Sequence, residues 1–186
     1  IITSIVLRDF TEKKAKECGF SNTHIIYEPF GRNTAPAIAV LCRALELQGK
    51  NQEIVGIFPA DHLIENEKEF LSALDLAEQS AKKGKVVCLG LKPKHAETGY
   101  GYIQTLTKPV SFNQKLSSFE VLKFHEKPSL ETAKEFLSKG SFYWNAGIFV
   151  FPVYLMIELF KRYQPQIWTG VMTLKADLSN IKDVYE

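Results

Sequence analysis

The stretch from Glu53 to His62, Glu-Ile-Val-Gly-Ile-Phe-Pro-Ala-Asp-His, constrains the fold more than any other part of the sequence. Its five consecutive apolar or glycine residues predict a strand covered on both faces, as in the centre of a parallel α/β sheet. Pro59 ends this strand because proline has no N–H to offer to the ladder. Open α/β sheets bind ligands just beyond the carboxyl ends of their strands. Asp61 is therefore expected at the edge of a ligand-binding crevice.

Strand-like and helix-like patterns alternate along the first half of the sequence and change in the second half. The first half predicts, besides the strand above, strands at the start of the chain and at residues 24–28 and 86–91, and helices over residues 8–18, 33–45 and 68–83. The second half predicts paired strands at residues 102–105 and 119–124, a helix over 129–139, a strand at 147–151 and a helix opened by Pro152. Strands separated by helices imply right-handed crossovers. The expected fold is α/β, with a Rossmann-like, mixed but mainly parallel sheet.

Composition excludes several classes of function. The 186 residues, 45% of them hydrophobic, are expected to form one domain with a substantial core. The net charge of +2 is spread along the chain without a basic run, so no nucleic-acid partner is expected. The longest uncharged apolar run, around residues 144–156, is too short to span a bilayer, so no membrane partner is expected. Three widely spaced cysteines favour reduced core thiols in a cytoplasmic protein.

Asp61 and the glycine-rich segment Glu97-Thr-Gly-Tyr-Gly-Tyr-Ile103 are the first candidates for a ligand site. Mg²⁺ binds one or two carboxylates and completes its shell with water and substrate phosphates, which suits Asp61. The alternative for Asp61 is a cap on a helix or turn. Gly99 and Gly101 would let backbone amides approach a ligand closely, and the alternative for them is a tight turn or a bulge.

Two further segments carry polar residues beside apolar ones. Phe124-His-Glu-Lys-Pro128 places Glu126 next to Lys127 where a strand ends. Neighbouring strand residues point to opposite faces, so only a break at Pro128 would bring both to one site, and a surface ion pair is the alternative. Trp144-Asn-Ala-Gly-Ile148 places the amide of Asn145 among aromatic and small residues. Such an amide suits a ligand rich in hydroxyl groups, or it is a buried and satisfied structural group.

The order of these segments carries more information than any one of them. Glu28-Pro-Phe-Gly-Arg-Asn-Thr-Ala-Pro-Ala37, then Pro-Ala-Asp-His, Glu-Thr-Gly-Tyr-Gly-Tyr-Ile, Glu-Lys-Pro and Trp-Asn-Ala-Gly together resemble the nucleotidyltransferase domain of the mannose-1-phosphate guanylyltransferases. The resemblance extends from the first strand to about Gln166. The Arg-Asn-Thr-Ala-Pro-Ala segment is its specific part, because related enzymes that use uridine or thymidine nucleotides differ there.

The resemblance implies a role for each matching residue. Glu28, Asn33 and Thr34 match positions that line the guanine site, and Gly101 matches a backbone contact to the sugar. Asp61 matches the residue that binds the catalytic Mg²⁺. Glu126 and Asn145 match residues that bind mannose hydroxyls, and Lys127 matches the lysine that binds the sugar phosphate.

An activity follows from these roles as an expectation of the resemblance. The protein would be a nucleotidyltransferase that makes GDP-mannose and pyrophosphate from GTP and mannose 1-phosphate, with Mg²⁺ as cofactor, and a homodimer is one assembly that this expectation allows. Asp61 and Lys127 would be its catalytic residues. Two alternatives stay open: a nucleotidyltransferase for another base or hexose 1-phosphate, and a non-catalytic subunit that binds nucleotide sugars.

The sequence departs from the family pattern in two places. The family's first strand and Gly-Gly-x-Gly-x-Arg-Leu loop, with the Pro-Lys pair after it, cradle the triphosphate, and Ile1 aligns instead with the second strand. The later Ile-Asp-Tyr segment, which supplies a second metal-binding acid, is also not found. Residues 1–186 are therefore expected to be an internal part of one nucleotidyltransferase domain, binding parts of its substrates weakly without turning them over.

Overall fold

The computed structural model describes residues 1–20, 23–113 and 116–186. These residues form two compact units. The first unit comprises Ile1–Glu53 and Val153–Glu186, and the second unit comprises Ile54–Pro152.

The first unit contains a small parallel sheet and a group of helices. Strands β1 (Ile2–Ser4) and β2 (Ile26–Glu28) pair in parallel, and a 3-10 turn at Ile5–Leu7 and helix α1 (Arg8–Glu17) connect them. The other elements of this unit are α2 (Thr34–Leu47), α5 (Val153–Tyr163), α6 (Pro165–Met172) and α7 (Ile181–Tyr185). Helix α2 packs against α5 and α6 because its apolar side is buried, as the spacing of its apolar residues predicts. The β1–α1–β2 unit confirms the parallel crossover expected at the start of the chain.

The second unit contains the larger sheet. Its elements are β3 (Ile54–Ile57), α3 (Glu67–Ala81), β4 (Val87–Leu91), β5 (Tyr102–Asn113), β6 (Leu116–His125), α4 (Leu130–Lys139) and β7 (Phe142–Pro152). Two groups of buried side chains hold this unit together. One lies between α3 and β7 and includes Ala77, Ala81 and Val150. The other lies between α4 and the starts of β5 and β7, where the rings of Phe136 and Phe142 stack with their centroids 4.1 Å apart.

The mixed α/β fold is confirmed, but the arrangement of neighbouring strands differs from the mainly parallel sheet that the pattern predicts. Among the residues that the structure describes, every pairing in the larger sheet is antiparallel. The reason is the position of β7, whose Phe149 pairs with Ile57 of β3 on one edge and with Cys88 of β4 on the other. Strands β3 and β4 therefore run in the same direction but are separated by a strand that runs the opposite way.

Strand β3 is less buried than its composition suggests. Its three large apolar residues are half-buried and Gly56 is exposed. Within the described residues β3 pairs with β7 alone, so that only one of its edges is covered by a neighbouring strand. Because no residue of β3 is fully buried, the prediction of a strand covered on both faces is wrong for these residues, although its position, its ending before Pro59 and its delivery of Asp61 are as predicted.

The cysteines are free thiols, but only two of the three belong to the interior. Cys42 is buried, Cys88 is half-buried and Cys18 is exposed, against the expectation of three core thiols. Burial raises the pKa of Cys42 to about 12 and that of Cys88 to about 11, so both stay protonated at neutral pH. None of the helices in the described parts of the chain combines the length and apolar character needed to cross a membrane.

Candidate functional site

Three residues that lie far apart in the sequence meet at one end of the larger sheet. The backbone N–H of Asn145 donates a hydrogen bond of 2.8 Å to the carbonyl oxygen of Gly101. A Cβ atom placed on Gly101 would lie 2.9 Å from Oε2 of Glu126 and 3.7 Å from Cβ of Asn145. We call these three residues the Gly101 cluster. It contains the residues that the family resemblance assigns to the sugar.

The pairing of three strands creates this cluster. Tyr102, the first residue of β5, pairs with His125 at the end of β6 and with Trp144 in β7. The residue before Tyr102, the residue after His125 and the residue after Trp144 must therefore lie side by side, and these are the members of the Gly101 cluster. Asn145 lies inside β7, which begins at Phe142 rather than at residue 147 as predicted. The longer strand gives Asn145 a fixed ladder position that the sequence pattern does not reveal.

The side chain of Asn145 is also engaged locally. Its Oδ1 accepts a hydrogen bond of 3.0 Å from the N–H of Gly147, which has a positive φ of 67°. A Cβ on Gly147 would lie 3.4 Å from Cγ of Pro59, so the end of β3 approaches this turn closely. A glycine is favoured here because the backbone conformation is left-handed and the neighbouring proline ring leaves little room. The alternative of a satisfied structural amide thus holds for Oδ1, which accepts this bond while the side-chain NH₂ group remains a donor.

The glycine-rich loop before β5 is held in place by Tyr102, whose side chain is fully buried. The N–H of Glu97 donates to the hydroxyl of Tyr102 over 3.0 Å, and that hydroxyl donates to the carbonyl oxygen of Glu97 over 2.9 Å. The Glu97 carboxylate accepts a bond of 2.8 Å from the N–H of Gly99 and lies 3.3 Å from Nε2 of His95. The Gly99 amide, and secondarily His95, lower the pKa of this carboxyl group. The loop that carries Gly101 is therefore a defined turn.

We expect Tyr102→Phe to lower the free energy of unfolding by about 1–3 kcal/mol, because two half-buried backbone groups of Glu97 lose their hydrogen-bond partner. The same change should weaken binding at Gly101, since the loop is less firmly held. Chemical denaturation measures the first effect and titration with sugar phosphate the second. Tyr100→Phe is the matched control, since Tyr100 is 52% exposed and in the same loop. Equal stabilities of the Tyr102→Phe variant and the unmodified protein would contradict this account.

Glu126 and Lys127 lie where β6 ends. Lys127 has a positive φ of 39°, a conformation that side-chain-bearing residues rarely adopt, directly before Pro128. This is the backbone break that the sequence requires if both side chains are to serve one site. The ammonium group of Lys127 lies 3.9 Å from Oε1 of Glu126, with side-chain exposures of 65% and 77%. The surface ion pair is thus present, and both groups are accessible to a ligand.

Asp61 lies in the exposed loop that follows β3. Its carboxylate is 89% exposed and 4.0 Å from Nε2 of His62. It does not cap the next helix, because α3 is capped by Asn66, whose Oδ1 accepts from the N–H of Glu69 over 3.2 Å. The described residues contain no group of three or more potential metal ligands. One accessible carboxylate still fits a Mg²⁺ ion that takes its remaining ligands from water and substrate phosphates.

The three residues matched to guanine lie in the first unit. Glu28 ends β2 and is half-buried, and its Oε1 accepts a hydrogen bond of 2.7 Å from the hydroxyl of Tyr185. Thr34 opens α2, and Asn33 occupies the position before it with φ of 63° and ψ of −168°. Within the described residues the side chain of Asn33 makes no capping hydrogen bond to the helix. Its amide is exposed at the start of the helix.

Sequence reasoning missed Tyr102 and Tyr185. Tyr102 reads as an ordinary strand residue, and Tyr185 is 157 positions from Glu28 in the sequence. No local pattern links residues so far apart. The structure brings together Gly101, Glu126 and Asn145 in the second unit, with Lys127 next to Glu126, while Glu28 and Asn33 lie at the two ends of one short segment of the first unit.

Comparisons with known proteins agree with the resemblance. Mannose-1-phosphate guanylyltransferase 2 of Escherichia coli O157:H7 is 37% identical over 171 residues, which cover 90% of this chain and 36% of that protein. The alginate biosynthesis protein AlgA of Pseudomonas aeruginosa is 37% identical over 180 residues, covering 94% of this chain and 37% of that protein. The chain thus spans about a third of the length of the curated relatives it matches.

Solved structures show the same fold. A crystal structure from Thermus thermophilus, described as a mannose-1-phosphate geranyltransferase, superposes with a TM-score of 0.79 at 32% identity and covers 94% of this chain and 49% of its own. A Helicobacter pylori structure described as a mannose-6-phosphate isomerase superposes with a TM-score of 0.78 at 28% identity, covering 92% of this chain and 62% of its own. The nucleotidyl transferase family model matches residues 2–180. The chain therefore belongs to the nucleotidyl transferase family.

Proposed function

We propose that the protein is a mannose-1-phosphate guanylyltransferase, which forms GDP-mannose and pyrophosphate from GTP and mannose 1-phosphate. The observation that carries this proposal is the Gly101 cluster, in which the backbone of Gly101, the carboxylate of Glu126 and the residue Asn145 lie close together. Groups that accept and donate hydrogen bonds in this way suit the hydroxyls of a hexose. The similarity to guanylyltransferases over most of the chain supports the choice of mannose 1-phosphate among hexose phosphates.

The charged residues of the second unit suit a sugar phosphate. In our proposal Glu126 and Asn145 bind mannose hydroxyls, and the ammonium group of Lys127 binds the phosphate. The proximity of the Lys127 ammonium to the Glu126 carboxylate, 3.9 Å, supports neighbouring roles for the two residues. The accessibility of both side chains means that a ligand can reach them without displacing core residues.

In the first unit the proposal assigns Glu28, Asn33 and Thr34 to guanine. A guanine edge presents an N–H and an exocyclic amine as donors and a carbonyl as an acceptor. A carboxylate accepts from the donors, while an amide or hydroxyl group can donate to the carbonyl. An adenine edge offers a different pattern, so a carboxylate at this position favours guanine over adenine.

The proposed reaction transfers the guanylyl group of GTP to the phosphate of the sugar. A phosphate oxygen of mannose 1-phosphate attacks the α-phosphorus of GTP, the bond to the bridging oxygen of the β-phosphate breaks, and pyrophosphate leaves with the electron pair. Because two anions react, cationic groups at the junction lower the barrier, and the protein contributes mainly positioning and charge. Lys127 neutralises the nucleophile's phosphate. Asp61 would hold Mg²⁺, which when bound supplies positive charge beside the phosphates of the nucleotide.

We also infer a cytoplasmic protein that serves polysaccharide biosynthesis. The free thiols of the described residues suit a reducing compartment. Relatives that match this chain are described as alginate and xanthan biosynthesis proteins, AlgA from Pseudomonas aeruginosa and XanB from Xanthomonas campestris. We also propose that the protein is a homodimer, which a measurement of its molar mass in solution would test.

Pyrophosphate release tests the proposed function. A polypeptide that contains residues 1–186 together with the family's triphosphate-binding loop is supplied with Mg²⁺, GTP and mannose 1-phosphate, and we expect release that requires both substrates. A panel of other nucleoside triphosphates and hexose 1-phosphates tests the base and the sugar, and faster release with another pair would overturn this specificity. Binding of GDP-mannose without any release would instead support a non-catalytic nucleotide-sugar-binding subunit.

A further inference from the structure

A hydrogen bond in the first unit connects the proposed guanine site to the last helix of the chain. The hydroxyl group of Tyr185, in α7, donates to Oε1 of Glu28 over 2.7 Å. Glu28 stands at the end of β2, immediately before the segment that leads to Asn33 and Thr34. Each carboxylate oxygen has two lone pairs, so within the described residues the bond from Tyr185 leaves Oε2, and a second lone pair of Oε1, available to accept from a ligand.

Tyr185 is held firmly enough to fix the direction of this bond. Its side chain is only 3% exposed, although it belongs to a helix of five residues. Its ring meets the ring of Phe30 edge to face, with centroids 5.9 Å apart and an interplanar angle of 89°. Phe30 in turn lies under the guanidinium group of Arg32, 5.0 Å from the ring centroid.

The charges around Tyr185 keep its hydroxyl a donor. Burial raises the pKa of Tyr185 above its ordinary value of 10.0, and the hydrogen bond and negative charge of Glu28 raise it further, against a smaller opposite effect of Arg32. The phenol is therefore protonated at every pH at which the protein would be assayed. Since a carboxylate only accepts, the bond between the two residues has a fixed polarity.

We propose that Tyr185 is a positioning residue for base recognition, which orients the Glu28 carboxylate so that it accepts from the donor edge of guanine. This inference rests on the proposed function, because it takes Glu28 to bind the base. A glutamate side chain has three rotatable bonds, and fixing such a side chain before the ligand arrives removes part of the entropy cost of binding. Tyr185 would then act on affinity through Glu28, without touching the nucleotide itself.

Tyr185→Phe is the decisive variant because it keeps the ring, and with it the edge-to-face contact with Phe30, while it removes the donor. We expect the dissociation constant for GTP to rise about three- to tenfold, from the cost of immobilising one side chain, and that for ATP to stay unchanged. Calorimetric titration of each protein with GTP and with ATP measures the two dissociation constants, which are then compared between the variant and the unmodified protein. Tyr163→Phe is the matched control, since Tyr163 is 61% exposed in the same unit and should leave both constants unchanged.

Glu28→Gln separates failure of this inference from failure of the proposed function. If Glu28→Gln impairs GTP binding and Tyr185→Phe does not, Glu28 binds the base without help from Tyr185, and the inference is wrong. If Glu28→Gln leaves the preference for GTP over ATP intact, Glu28 does not bind guanine, and both the assignment and the inference are wrong. The same conclusion follows if the unmodified protein has no preference for GTP over ATP. Equal weakening of GTP and ATP binding by Tyr185→Phe, with a lower melting temperature, would show a purely structural role.

Discussion

Asp61→Asn should lower kcat for pyrophosphate release by about a hundredfold to a thousandfold in a polypeptide that carries these residues and releases pyrophosphate. Asparagine keeps the size of the side chain and one oxygen but removes the negative charge with which Asp61 would hold Mg²⁺. The expected loss corresponds to removal of one electrostatic contribution from a reaction in which charge neutralisation dominates. Steady-state release rates at saturating GTP, mannose 1-phosphate and Mg²⁺ provide the measurement.

The fold should survive this substitution because the Asp61 carboxylate is 89% exposed and α3 is capped by a different residue. Unchanged denaturation midpoints would show that the loss is chemical. Glu65→Gln is the matched control, since Glu65 is an exposed acid in the same loop and matches no family position, so its rate should be normal. Near-normal turnover of Asp61→Asn, or an equal loss in Glu65→Gln, would contradict the metal-binding role.

Local features of the fold could be predicted from the sequence because their causes are local. The helix over residues 129–139 is an example: it is expected to start at Ser129, and the Ser129 Oγ accepts from the N–H of Thr132 over 3.3 Å. Gly140 ends the same helix with a φ of 69°. The insertion of β7 between β3 and β4 could not be predicted in this way, because strand order depends on pairings between distant residues.

In the candidate site, too, local features could be predicted from the sequence, and contacts between distant residues could not. The members of the Gly101 cluster can each be identified from short motifs, yet their adjacency depends on the pairing of Tyr102 with both His125 and Trp144. The backbone break at Lys127 could be predicted because proline follows it. The bond from Tyr185 to Glu28 could not, since it joins two elements that are distant in sequence and have no shared pattern. Motifs thus locate the polar groups, and the strand ladder explains how they meet.

Lys127→Ala should raise the KM for mannose 1-phosphate and lower kcat by about a hundredfold, because the ammonium group is expected to offset the charge of the attacking phosphate. Lys127 adopts a φ of 39°, and alanine has a Cβ as lysine does, so the backbone strain is the same in both proteins. The substitution therefore isolates the charge, and stability measured by denaturation should change little. Initial rates at varied concentrations of each substrate separate the two kinetic effects.

The matched control is Lys123→Ala, which removes an exposed lysine from β6, the strand just before Lys127, without touching a family-matched position. Normal kinetics in this control would show that the effect of Lys127→Ala does not come from a change of net charge. The KM for GTP should stay close to normal in Lys127→Ala, because the proposed guanine contacts come from other residues. An effect confined to GTP would place Lys127 on the nucleotide, and the sugar-phosphate role of the Glu126–Lys127 pair would have to be abandoned.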